Sequence, residues 1–181
     1  MRAVPWLLLG FLGAASAAAA LSFNHMVRLR NRVRRAWQDI DVQLELRHRL
    51  LPLLASAARG YAEREAALLE EATRARSGIR DAGPAYRARS ESGLDAAARE
   101  ALSLVERYPD LKADASFSRL VEELVRVEDH LASARKYYNG AVRQYNTFIQ
   151  AFPFNLLAGT LHFRPAEYFE LPRKGVGEEK R

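Results

Sequence analysis

Glu45 and His48 stand three residues apart in "ELRH". Di-iron bundles use this spacing to aim a carboxylate and an imidazole at one metal. Such a centre needs a second Glu-x-x-His and two further inward glutamates. The other near-match, "VEDH", has its glutamate and histidine at the wrong spacing for that motif. The pair therefore reads as an exposed helix face. His25, His130 and His162 lack ligand partners at a usable spacing, no HExxH occurs, and no Gly-rich loop follows a strand. The serines are scattered, with no nucleophile elbow. The chain has no cysteine, which excludes disulfides, thiolate metal sites and cysteine catalysis. The expectation is a protein without a cofactor, a metal, a small-molecule substrate or enzymatic activity.

Arginine is the second chemistry on offer. The formal net charge is +6, mostly from arginine, so an anionic partner is expected: nucleic acid or a membrane surface. The densest run, "VRLRNRVRR", carries Arg28, Arg30, Arg32, Arg34 and Arg35. It follows directly on Ala3 to Phe23, 21 residues without a charge. As a helix that stretch is about 31 Å long, enough to cross a bilayer. A cleaved signal peptide is the rival reading, because small residues around Ser16–Ala20 fit a cleavage site. Only Arg2 precedes the span, so the positive-inside rule puts the bulk of the chain in the cytoplasm. A membrane-anchored location is expected, with the arginines and His25 among anionic lipid headgroups. The arginines serve equally as a plain topology signal. No basic and aromatic residues interleave as a stacking platform, so nucleic acid is not expected.

The elements that hold these groups are helical. Val33, Trp37, Ile40, Leu44, Leu51, Leu54, Ala58, Tyr61, Leu68, Ala72 and Ala75 follow 3–4 spacing, interrupted by Arg47 and Glu65. Pro52 lies inside the stripe without a turn cluster around it. The pattern favours one long kinked helix to about Arg76 over two helices joined by a tight turn. A flexible connection is expected over about 77–93. "LDAAAREALSLVERY" predicts a shorter helix with Leu94, Ala98, Ala101, Leu102 and Val105 on one side. "PDLKADAS" predicts a turn, with Asp114 or Ser116 capping the next helix.

The last long helix follows a heptad. Position a takes Phe117, Leu124, Leu131, Tyr138, Tyr145 and Phe152; position d takes Leu120, Val127, Ala134, Ala141 and Phe148. Position f takes Glu122, Asp129, Lys136, Arg143 and Gln150, a solvent face. Tyr-Asn occurs twice, at Tyr138-Asn139 and Tyr145-Asn146. The tyrosines belong to the seam. The asparagines fall at position b, among Ala132, Ser133, Gly140 and Thr147. Gly140 costs about 1 kcal/mol against Ala inside a helix, so close approach of another backbone is expected there. The six residues form a flat stripe suited to a second helix, either the chain's own first helix or that of a second copy or membrane-protein partner. "NLLAGTLHF" adds a final short helix, and "LPRKGVGEEKR" a disordered charged end.

Read together, "FNHMVRLRNRVRRAWQDIDVQLELRHRLLPLL", "GYAERE", "RYPDLKADASFSRLVEEL", "VEDHLASARKYYNGAVRQYNTFIQAFP" and "YFEL" resemble the LemA family of membrane-anchored bacterial proteins. They cover most of residues 23–171 in family order. The chain departs at Leu53-Leu54-Ala55 and lacks the family's apolar ending after Leu171. The resemblance implies an all-α fold: an N-terminal transmembrane helix followed by an up-and-down antiparallel helical bundle of four-helix type. It implies no known enzymatic activity, and some relatives work in bacterial membrane organelles. The expected division is an anchor over 1–25, a bundle over 26–162 and a tail over 163–181. The expected work is scaffolding at the membrane.

Overall fold

The computed structural model describes residues 4–60, 67, 84 and 91–169, all helical or connecting, with no strand among them. The elements are α1 (Val4–Ala58), α2 (Ser92–Arg107), α3 (Pro109–Ala113), α4 (Ala115–Gln150) and α5 (Phe154–Thr160). The fold is all-α, as expected. Tyr61, Glu65, Leu68, Ala72 and Ala75, the connection up to residue 90 and the tail after Phe169 lie outside the described residues.

α1 is a single helix of 55 residues that passes through Pro52. Pro52 is exposed, so its ring occupies solvent rather than a packed seam. The described helix stops at Ala58, where Arg59 and Gly60 form a turn; the expected continuation to about Arg76 falls on residues of which only Ala67 is described. Its N-terminal part is long and apolar enough to cross a membrane. Leu8, Phe11 and Leu21 are 63%, 75% and 68% exposed, so the chain itself does not cover this surface.

The contact pattern divides the chain into two compact units, residues 1–37 with 137–166, and residues 38–136 with 167–181. α1 runs on unbroken from the apolar run into the arginine segment. In the first unit α1 and the end of α4 are antiparallel: Trp37 meets Tyr138, Arg32 meets Gln144 and His25 meets Phe148. The core is built from Met26, Leu29, Val33 and Ala36 on α1, with Tyr138, Ala141, Val142, Tyr145 and Ile149 on α4. Each large aliphatic side chain fully buried there contributes about 1.5–3 kcal/mol, and the alanines less.

In the second unit Leu50, Leu51, Leu54 and Ala58 of α1 pack with Leu94, Ala97, Ala98, Ala101 and Leu104 of α2, and with Phe117, Leu124 and Val127 of α4. Part of the expected turn after α2 is itself helical: α3 buries Leu111. Asp114 is the cap that starts α4, its Oδ1 accepting from the backbone N–H of Ser116 and Phe117 at 2.8 and 2.9 Å.

The heptad holds over most of α4. Phe117, Leu124, Leu131, Tyr138 and Tyr145 are buried, and all five f residues are exposed. It fails at Phe152, which is 80% exposed because α4 ends at Gln150. Near that end Val142, Asn146 and Ile149 are buried as well. A straight helix drifts about 20° per heptad against a 3.5 repeat, and a second chain segment covers the face that drifts inward.

That segment is residues 163–169, the first part of the expected tail. It leaves α5 and returns along α4 with Phe163 and Phe169 buried, so the folded part does not stop at residue 162. Phe163 meets Phe23 edge-on at 6.0 Å, and the Arg135 guanidinium lies 5.1 Å from the Phe169 ring centre.

Candidate membrane-proximal site

Arg28, Arg30, Arg32, Arg34 and Arg35 are all exposed on α1, directly after the apolar run. Helical spacing spreads them around the axis, and two are held by α4 and its return segment. Arg32 Nη1 donates to Gln144 Oε1 at 2.9 Å. The Arg30 guanidinium lies 5.0 Å from the centre of the Phe163 ring, a cation–π distance. His25 is half-buried, 4.5 Å from the Phe148 ring, which stacks on Phe154 at 4.4 Å.

The two Tyr-Asn pairs do different jobs. Tyr138 packs its ring at 5.5 Å on Trp37, while Asn139 is half-buried beside it. The Tyr145 hydroxyl donates to the Arg164 carbonyl at 2.9 Å, and burial pushes its phenol up from the ordinary tyrosine range, with Arg30 opposing. Asn146 binds one residue with both ends of its amide: Nδ2 donates to the Ala166 carbonyl at 2.9 Å, and Oδ1 accepts the Ala166 N–H at 2.8 Å. The partner of Asn146 is thus an extended segment, not the helix expected for the stripe. Ala132, Ser133 and Thr147 are exposed and Gly140 is half-buried. A Cβ at Gly140 would meet nothing within 4 Å, so close backbone approach does not explain this glycine. Gly140 and Thr147 instead line an open groove of about 990 Å³ with His25, Arg28, Arg32, Arg143 and Phe148.

Sequence reasoning missed a second polar cluster. Arg47 is fully buried among three carboxylates. Its Nη2 donates to Glu91 at 2.6 Å, and its Nη1 bonds Asp95 and lies 3.4 Å from Glu128. Burial alone would lower the Arg47 guanidinium; Glu128, Asp95 and Glu91 outweigh it and push it up. Arg135, 3.5 Å from Asp95, is pulled down by burial, with Asp95 opposing and Arg47 reinforcing. The signal was present in the sequence: Arg47 occupies a core position between Leu44 and Leu51, and Glu91 and Asp95 are four residues apart. His48 and Glu45 are half-buried rather than exposed. They turn to different partners, His48 Nε2 lying 3.5 Å from Glu91 and Glu45 accepting from Arg49 at 3.3 Å. The cluster ties α1, α2 and α4 together. Among the described residues no group of His, Asp and Glu is arranged to hold a metal.

This arrangement is an apolar helix, an arginine collar and a helical body locked by buried polar pairs, and residues 36–180 match the family model for LemA. The chain belongs to the LemA family. It is also similar to two MamQ magnetosome proteins of Paramagnetospirillum magneticum (strain ATCC 700264 / AMB-1), each 33% identical over 45% of this chain. A MamQ of Magnetospirillum gryphiswaldense (strain DSM 6361 / JCM 21280 / NBRC 15271 / MSR-1) is 30% identical over 44% of it. The matched part is about 30% of each relative's length.

Proposed function

We propose that this LemA-family chain is a single-pass protein of the bacterial inner membrane, with its helical bundle in the cytoplasm acting as a non-enzymatic scaffold. The observation that carries this reading is the change in surface along α1. Leu8 to Leu21 present exposed apolar side chains, and five exposed arginines follow at once. An apolar face of that length is stable only in lipid or against another protein. The arginine flank favours the cytoplasmic side. Relatives named as magnetosome proteins support work at a membrane. The body gives no converging catalytic groups among the described residues. Buried Arg47 ties α1 to Glu91, Asp95 and Glu128, which suits a rigid platform that holds protein partners or further copies of itself.

The test is a C-terminal reporter active only outside the cytoplasm. It should be silent in cells, and replacing Arg28, Arg30, Arg32, Arg34 and Arg35 with Gln should raise its activity as orientation weakens. Strong activity of the unaltered fusion rejects the cytoplasmic placement in favour of a bundle on the outer side, reached by reversed topology or signal cleavage.

A further inference from the structure

Charge is divided sharply along the chain. Residues 1–37 and 137–166 contain eight arginines and no Asp, Glu or Lys. All 22 carboxylates lie in the remaining residues, with 20 Lys and Arg. Near-balance is ordinary for a protein surface; a unit with no carboxylate at all leaves its guanidinium groups without internal counter-ions. Arg28, Arg32 and Arg143 converge on the groove of about 990 Å³ between α1 and α4, and no carboxylate of their own unit can answer them.

The groove is graded along its length. The helices are antiparallel, so its end far from the span carries Arg32, Gly140 and Arg143, and its end near the span carries His25, Phe148 and Ala151. From Gly140 to Ala151 the wall is about 17 Å long. Arg28 lies five residues past Phe23, about 7 Å along the axis, which is headgroup depth if the span ends at Phe23. A second observation agrees. Phe152, Leu156 and Leu161 are exposed by 80%, 64% and 44% at the near end, beside Phe154, which stacks on Phe148. These side chains have no protein cover and lie where a bilayer would take them up.

We infer that this groove is a binding site for an anionic phospholipid, with Arg28, Arg32 and Arg143 on the phosphodiester and Phe148 and Ala151 against the start of the acyl chains. The inference rests on the membrane reading above and adds a saturable site to it. Guanidinium groups match phosphate oxygens in planar, multi-donor fashion. Gly140 leaves room: with no side chain there, the groove stays open beside Arg143. Arg143 comes from α4, more than a hundred residues after the span, so an occupied site couples the end of the bundle to the lipid surface.

The test uses the full chain in nanodiscs of equal parts phosphatidylglycerol and phosphatidylcholine. The protein is then extracted in mild detergent and its retained lipid measured by mass spectrometry. Wild type should retain phosphatidylglycerol selectively. Arg143→Gln should lower retention roughly five- to tenfold. Gly140→Leu, which changes no charge, should do the same by filling the groove. Arg34→Gln removes an equal charge outside the groove and should leave retention within about twofold. Equal losses in Arg34→Gln and Arg143→Gln, or no loss in Gly140→Leu, would reduce the site to diffuse attraction and overturn it. Displacement of the lipid by inorganic phosphate alone would mean a free-anion site and overturn the lipid assignment. A chain that never enters the nanodisc contradicts the membrane reading itself, a separate result. Both leaflets are identical, so the outcome does not depend on topology.

Discussion

Asn146 holds Ala166 by both its amide oxygen and its amide nitrogen, so one side chain fixes the middle of the return segment. Asn146→Ala removes two hydrogen bonds and leaves a backbone N–H and C=O unmet, a loss of about 1–3 kcal/mol. The expected result is faster hydrogen exchange in residues 163–169 with little change in α2. Arg47 poses the opposite case, a buried cation among three acids. Arg47→Met keeps the volume but takes the buried cation away from Glu91, Asp95 and Glu128, and should cost about 3–5 kcal/mol in detergent-solubilised protein unfolded by heat. Adding Glu91→Gln to Arg47→Met should recover part of that loss, because fewer buried charges are left unpaired. The partners of these two residues were not legible from spacing alone. Asn146 reads from sequence as part of a stripe for a second helix, since the segment it binds lies 20 residues on and has no periodicity. Arg47 looked like an interruption, since the acids that neutralise it come from α2 and α4.

At the scale of elements, α4 was the most legible part. Its a residues from Phe117 to Tyr145 and its f residues fall where the heptad puts them, because both follow from helix geometry with no knowledge of partners. Leu131→Ala and Tyr138→Ala should each destabilise the fold by roughly 2–5 kcal/mol. Glu122→Ala and Lys136→Ala should change it by less than about 0.5 kcal/mol. Loss of the helical circular-dichroism signal on heating compares the four, and similar losses in both pairs would contradict the frame. The end of α4 was harder to read. Phe152 fits the repeat by type, yet the helix stops before it. Pro52 illustrates the other side of local rules. Proline disfavours a helix interior by about 3 kcal/mol, but α1 continues through it, since Leu50, Leu51, Leu54 and Ala55 are buried on either side. The groove is not legible in the sequence: Arg28 and Arg32 read as headgroup contacts or a topology signal, and Arg143 as a solvent residue on another helix. Only antiparallel pairing of α1 with α4 brings them together.

For the whole molecule the decisive feature is the separation of an arginine-only unit from one that holds every carboxylate. That division puts the cationic surface beside the apolar run and leaves the remaining residues close to neutral. The absence of cysteine makes the placement directly measurable. Glu122 is exposed at position f of α4, and Glu122→Cys introduces a single thiol at little cost to the fold. Intact cells are treated with a maleimide that cannot cross the inner membrane but reaches its outer face, then compared with permeabilised cells. A cytoplasmic bundle predicts no labelling of Cys-substituted position 122 until permeabilisation, with the protein remaining in the membrane fraction. Full labelling in intact cells, or recovery of the protein in the soluble fraction, would contradict the account.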